Sequence, residues 1–182
     1  MLARSAARRA VSLDPENADA HIILGSLRAF EGEFVEGVAE FEMGLRINPN
    51  HAEGWALLAD LRVLEGRAAE GIDCVYNAFR LNPHPPGDYY WLLGWAQYAL
   101  GRYQDAVETL RHESAGGPGV RRILAAALAQ LGRLPEAREE ARIFLSQFPH
   151  FSAQEWGRGQ PFQYDADRQH FIDGYVKAGL PD

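Results

Sequence analysis

Residues 51–84 read HAEGWALLADLRVLEGRAAEGIDCVYNAFRLNPH, and this stretch decides the fold. Trp55, Leu58, Ala59, Val63 and Leu64 recur at the three-and-four spacing of one helix face, and after Gly66 so do Ile72, Val75, Tyr76 and Phe79. One such pair cannot cover its own apolar stripe. Stacked against copies of itself it can, and that need for neighbours is the physical content of a helical repeat. Copies stand on both sides. Pro15, Pro49, Pro83, Pro118 and Pro149 are spaced by 34, 34, 35 and 31 residues, and Gly32, Gly66, Gly101 and Gly132 by 34, 35 and 31. A glycine ends each first helix with a positive φ, and a proline fixes the turn before the next pair. Leu24-Gly25, Leu58-Ala59, Leu93-Gly94 and Leu124-Ala125 add a third marker, a small residue where two helices approach closely.

Composition narrows the function classes. With 182 residues, 47% hydrophobic and 24% charged, the chain is long enough for one core or an array of repeats. No run of eighteen apolar residues is present, so no transmembrane helix is expected. Residues 1–13 have no continuous apolar centre and run straight into Asp14-Pro15, which argues against a signal peptide. A single cysteine, Cys74, on an apolar helix face reads as a small buried hydrophobe, and a cytoplasmic location fits. The net charge of -7 argues against nucleic acid or an anionic membrane as main partner, because either needs a basic face. An RNA-reading repeat of about 35 residues is disfavoured on the same ground.

The 34-residue unit resembles the tetratricopeptide repeat, W-x2-L-G-x2-Y, then A-x3-F, then P. Trp55, Leu58 and Pro83 stand in those slots in one unit; Leu24, Gly25, Phe41 and Pro49 in another; Tyr90, Leu93, Gly94, Ala106, Leu110 and Pro118 in a third; Leu124, Ala125, Ala137, Ala141 and Pro149 in a fourth. The family tyrosine is replaced throughout, by Arg28, Arg62, Gln97 and Leu128. The resemblance implies an all-α, right-handed α-α superhelix. Residues 1–17 form the second helix of an incomplete repeat, followed by full repeats at 18–51, 52–86, 87–117 (shortened) and 118–151. Residues 152–182 are a linker and C-terminal capping helix: Ser152 to Glu155 form a capping box, and Phe171, Ile172, Tyr175 and Val176 share a helix face behind Asp165. Because the array begins halfway through a unit, the chain reads as a piece of a larger bacterial protein. The tail also resembles the segment after the repeats in bacterial class III adenylate or guanylate cyclase fusion proteins, through Pro161-Phe162, Asp165-Ala166-Asp167 and Ala178-Gly179-Leu180-Pro181. That would make it the regulatory or oligomerisation region of a cyclase.

No phosphate loop, HExxH, CxxC or G-x-S-x-G occurs, so neither catalysis nor a cofactor is expected. His51, His84 and His150 recur beside the repeat prolines as capping or solvated turn residues; Asp167, His170 and Asp173 share a face but make a weak metal site. The resemblance points instead to protein or peptide capture on the concave surface, lined by first helices. In its register the lining includes Phe30, Asp60, Asp88, Trp91, Trp95 and Tyr98, with Asp19 and Glu53 making the entrance acidic. Trp91, Trp95 and Tyr98 form an i, i+4, i+7 aromatic stripe, offering large contact area with few rotors to freeze. Two other fates stay open: the tryptophans pack on Gly119, Ala126 and Ala129 of the next first helix, or the linker Trp156–Tyr164 lies across the groove. Self-association is left open as well.

Overall fold

The computed structural model describes residues 2–117 and 119–182; Met1 and Pro118, the fourth of the periodic prolines, lie outside the described residues. The helices run α1 (Leu2–Leu13), α2 (Ala18–Phe30), α3 (Phe34–Ile47), α4 (Ala52–Leu64), α5 (Ala68–Leu81), α6 (Gly87–Ala99), α7 (Tyr103–Leu110), α8 (Val120–Gln130), α9 (Leu134–Gln147), α10 (Ala153–Gly159) and α11 (Asp165–Ala178). No strand occurs among the described residues. α2 pairs with α3, α4 with α5, α6 with α7 and α8 with α9, and each pair rests on the next through α3–α4, α5–α6 and α7–α8. The result is the α-α superhelix that the period implies, with α1 as a second helix packed on α2.

The periodic glycines do the work their spacing suggests. Gly32, Gly66, Gly101 and Gly132 have φ of 98, 76, 73 and 75°, a region that costs other residues energy. Past each of them the next residue donates a backbone bond to a carbonyl in the helix's last turn: Glu33 to Arg28, Arg67 to Arg62, Arg102 to Gln97 and Arg133 to Leu128. The same cap thus closes all four first helices. At the other end of α4, His51 caps as expected: its Nδ1 accepts from Gly54 N at 2.9 Å while Nε2 bonds Asp19 at 2.6 Å.

Small residues set the distance between paired helices. A Cβ on Gly25 would lie 2.7 Å from the Gly37 carbonyl, and one on Gly37 would lie 2.7 Å from that of Gly25. Ala59, Ala106 and Ala137 occupy related crossings and are fully buried. Where the family tyrosine is replaced, packing is rebuilt rather than lost. Arg62 is 6% exposed and donates to Glu42 at 2.6 Å and Glu65 at 2.7 Å. Desolvation opposes its charge, and those two carboxylates more than offset it, so its pKa is raised. Leu128 is simply buried.

In the third pair the second helix, α7, has only eight residues, and Gly116 N bonds Gly87 O at 3.2 Å across the remodelled turn. At the C-terminal end Ser152 Oγ accepts from Glu155 N at 3.1 Å, the serine half of the capping box. α11 differs from expectation in two details. Tyr164, not Asp165, is its N-cap residue, and Val176 is 42% exposed while Phe171, Ile172 and Tyr175 are buried.

Ala106→Leu should cost about 1–3 kcal/mol, because a leucine at a fully buried crossing overpacks it. Thermal or urea unfolding checks this, and an unchanged midpoint would mean that α6 and α7 can separate at no cost.

Candidate functional site

The first helices α4, α6 and α8 form one wall, on which the aromatic stripe of α6 lies as the register implies. The wall is not bare. After α10 the chain turns back: Gln163 N donates to Leu64 O at 2.9 Å, satisfying a carbonyl in the last turn of α4, and Tyr164 abuts Gly66. α11 then crosses α6 and α8. Its closest approach is at Gly174, where any Cβ would collide with the Tyr98 hydroxyl and lie 3.3 Å from Ala126 Cβ. A Schellman turn at Gly179 (φ 96°) ends α11, and Ala153 N donates to Pro181 O at 2.8 Å, tying the tail to the start of α10.

Two of the expected contact residues are therefore core residues, a correction to the reading of an open stripe. Trp95 is 2% exposed: its ring stacks on Phe171 with centroids 4.0 Å apart, flanked by Trp156 at 5.9 Å and Phe162 at 6.0 Å. Tyr98 is fully buried between Phe171 and His170, at 4.9 and 4.8 Å. Its hydroxyl donates to His170 O at 3.3 Å and accepts from Gln130 Nε2 at 3.4 Å. The apolar side of α11 covers more of the concave wall than the last repeat alone offers. The sequence carried a signal for this, Gly174 inside an otherwise helical pattern, but its meaning depends on knowing what it faces.

Phe30 is half exposed. Its equivalents one and two repeats on are Leu64, fully buried, and Ala99, which lines a small pocket with Val63, Ala68 and the α11 residues Asp167, His170 and Phe171. Phe30 is not among the residues that line the cleft at Trp91.

Three expected residues do come together. Asp60, Asp88 and half-buried Trp91 line an open cleft of about 190 Å3 with Glu53, Leu57, Tyr89, Leu92 and Gly119. The Trp91 indole lies so close on Gly119 that a Cβ there would strike its Nε1. A second cleft of about 300 Å3 shares Asp60, Trp91 and Gly119 with the first and is lined further by Arg122, Trp156 and the phenylalanines 144, 148 and 151, among others. Arg122 is enclosed by rings, its guanidinium carbon 4.6 Å from Trp156, 5.2 Å from Tyr175 and 5.6 Å from Phe151. Asp60 has the one strongly shifted carboxyl of the wall: desolvation pushes it up to about 6, against the pull of Arg122.

The remaining candidates have structural roles. Cys74 is buried, which pushes its thiol up to about 11. His170 stacks on Tyr98, Asp173 accepts from Gln169 at 2.7 Å, and no metal-holding group of three such side chains occurs among the described residues. His84 and His150 are exposed in turns.

Two outcomes are expected. Trp95→Ala should destabilise by about 3–5 kcal/mol, read from denaturant unfolding, since it empties a sealed ring cluster. Asp60→Asn should stabilise at pH 7, by about 1–3 kcal/mol. Between its ordinary 3.8 and about 6, unfolding of the parent releases this proton, so the charged form costs the folded state progressively more as pH rises. The gain should accordingly shrink toward zero as pH falls to about 4, which melting curves across that range will show.

Comparison with known proteins agrees with this architecture. The tetratricopeptide repeat family profile matches residues 1–52, 57–120 and 92–150. No curated protein matches the sequence. Among solved structures, YrrB, described as a TPR protein with an unusual peptide-binding site, is 22% identical, with TM-score 0.63 and 97% of this chain and 92% of that one covered. A thermophilic TPR protein of Thermus thermophilus is 18% identical, with TM-score 0.69 over 95% and 88%. PilW, a type IV pilus biogenesis factor, is 17% identical, with TM-score 0.73 over 96% and 80%. At such identities the likeness is one of fold. With the family profile spanning most of its length, this chain belongs to the tetratricopeptide repeat family.

Proposed function

We propose that the chain is a protein-interaction scaffold that seats a peptide segment in the cleft beside Trp91, and that the segment carries a basic side chain next to an apolar one. The carrying observation is the lining of that cleft, where Glu53, Asp60 and Asp88 surround Leu57, Tyr89, Trp91 and Leu92. Carboxylates at the rim of an apolar floor favour a cation whose neighbour can be buried. Trp91 supplies a ring of which part stays open, with a net charge of -7 behind it. Trp95 and Tyr98 act in support, holding α6 in place from inside the core.

The chain acts by binding rather than by catalysis, and we place it in the cytoplasm; no helix among the described residues is long and apolar enough to cross a membrane. The alternative, the regulatory region of a nucleotide cyclase, rests on the tail. There Phe162, Ala178 and Leu180 are buried and Gly179 ends α11, so packing accounts for them without an enzyme upstream.

Fluorescence polarisation with labelled twelve-residue peptides, basic–apolar against acidic–apolar, tests the proposal. The basic set should bind and shift tryptophan emission, and Glu53→Lys with Asp88→Lys should weaken it about tenfold or more. Gly119→Ala should weaken it too, because the added Cβ displaces the Trp91 ring. Equal binding of the acidic set, or binding indifferent to these substitutions, would overturn the reading.

A further inference from the structure

The cleft at Arg122 holds more hydrogen-bond donors than the chain itself can satisfy. Its walls come from α4, α6, α8 and α9 of the repeats and from α10 of the returning tail. Arg122 is only partly exposed and makes no ion pair among the described residues, whereas its neighbour Arg121 pairs with Glu140 at 2.7 Å. Aromatic faces surround the guanidinium instead, and they stabilise a cation without accepting its N–H groups in the way a carboxylate does. Its Nε finds no hydrogen-bond partner. A cation taken this far out of water is ordinarily paired. Asp60 lines the same cleft without closing on it, and desolvation pushes its carboxyl up to about 6 in spite of Arg122.

The indoles add to the imbalance. Trp95 is 2% exposed and lines the cleft, and its Nε1 is buried with no hydrogen-bond partner. The Nε1 of Trp91, which lies against Gly119, is in the same condition. Where an acceptor is at hand an indole of this chain takes it, as Trp55 Nε1 does from Pro49 O at 2.9 Å. Three groups that can only donate, one of them charged, thus stand among six aromatic side chains. What balances them is a molecule with an anionic acceptor at one end and an apolar body behind it. A carboxylate matches the planar fork of a guanidinium, and the body gains contact from the rings. The volume of about 300 Å3 stands at the bottom of the range of about 300–1,000 Å3 usual for small-ligand cavities, room for one ring and a short acid arm.

We propose that this cleft binds a small monocarboxylic acid with an aromatic or branched apolar body, the carboxylate on Arg122 and the body among Trp91, Phe148, Phe151 and Trp156. The site is separate from the peptide seat, with which it shares Asp60, Trp91 and Gly119 but neither Arg122 nor any ring of the tail. The acid touches the repeats and the tail at once, so its binding also holds the tail to the wall.

The test titrates the full chain at pH 7 with 3-phenylpropionate, read by tryptophan emission and by calorimetry, beside 3-phenylpropionamide and 3-phenylpropylamine, which keep the ring and remove or reverse the charge. The acid should bind with a Kd on the order of 0.1 mM, the amide and the amine about tenfold or more weaker. Saturating acid should also raise the melting midpoint. Arg122→Gln should weaken acid binding about tenfold or more, and so should Phe148→Glu, which leaves the arginine in place and adds a carboxylate at a position 39% exposed on the cleft. Asp60→Asn should tighten it, opposite in sign to what the loss of a carboxylate does to a basic peptide. Equal affinity for acid and amide, tighter binding of the amine, no binding of the acid at millimolar concentration, or acid binding that both Arg122→Gln and Phe148→Glu leave unchanged would overturn the proposal. So would a peptide ending in phenylalanine that binds through its free C-terminal carboxylate about tenfold or more tightly than the small acid, since the cleft would then belong to a chain end.

Discussion

No helix pair in this chain can bury its own apolar surface, and every other feature follows from that constraint. The crossing at Gly25 and Gly37 brings backbones within 2.7 Å of where a side chain would begin, so each pair behaves as a thin slab with two greasy sides. Slabs of this kind are stable only in a stack. Burial repeats with the period for the same reason, Leu24, Leu58 and Leu124 each lying under 5% exposed although hundreds of atoms separate them.

A stack has ends and a trough, and the chain treats them differently. At the C-terminal end α10 and α11 fold back, place Phe162 and Phe171 against Trp95, and cover much of the concave wall that the first helices create. That closure is core packing, sealed by Gly174 and by a backbone bond to the last turn of α4, rather than a loosely held flap. Two clefts beside Trp91 stay open, one between α4 and α6 where the carboxylates collect and one at Arg122 and Trp156. Partly covered Asp60 there, its carboxyl pushed up to about 6 by desolvation, marks a place where folding left a charge poorly solvated. At the N-terminal end Ile23 and Phe30 are about half exposed on α2.

The division between what could be read in advance and what could not is visible in single residues. The fold, the capping glycines, His51 as a helix cap, the buried cysteine, the shortened α7 and the start of α10 were all legible, because each depends on residues within one repeat. Trp95 was legible as a member of α6's stripe with burial under the linker among its open fates, whereas Tyr98 was legible as a stripe member but not as core. Their burial is decided by Phe171, 76 and 73 positions further on, and no local spacing encodes which way the chain turns after Pro161.

By itself, then, the sequence determined the repeating unit and its period, since helix propensity, turn chemistry and close crossings are local matters that recur wherever their residues recur. Only the tertiary structure decided which part of the concave wall is free, because that depends on where a tail without a period comes to rest. A periodic signal is self-reporting. A unique contact between distant segments, such as Gly174 under the Tyr98 hydroxyl, is expressed once and becomes readable only when both partners are seen together.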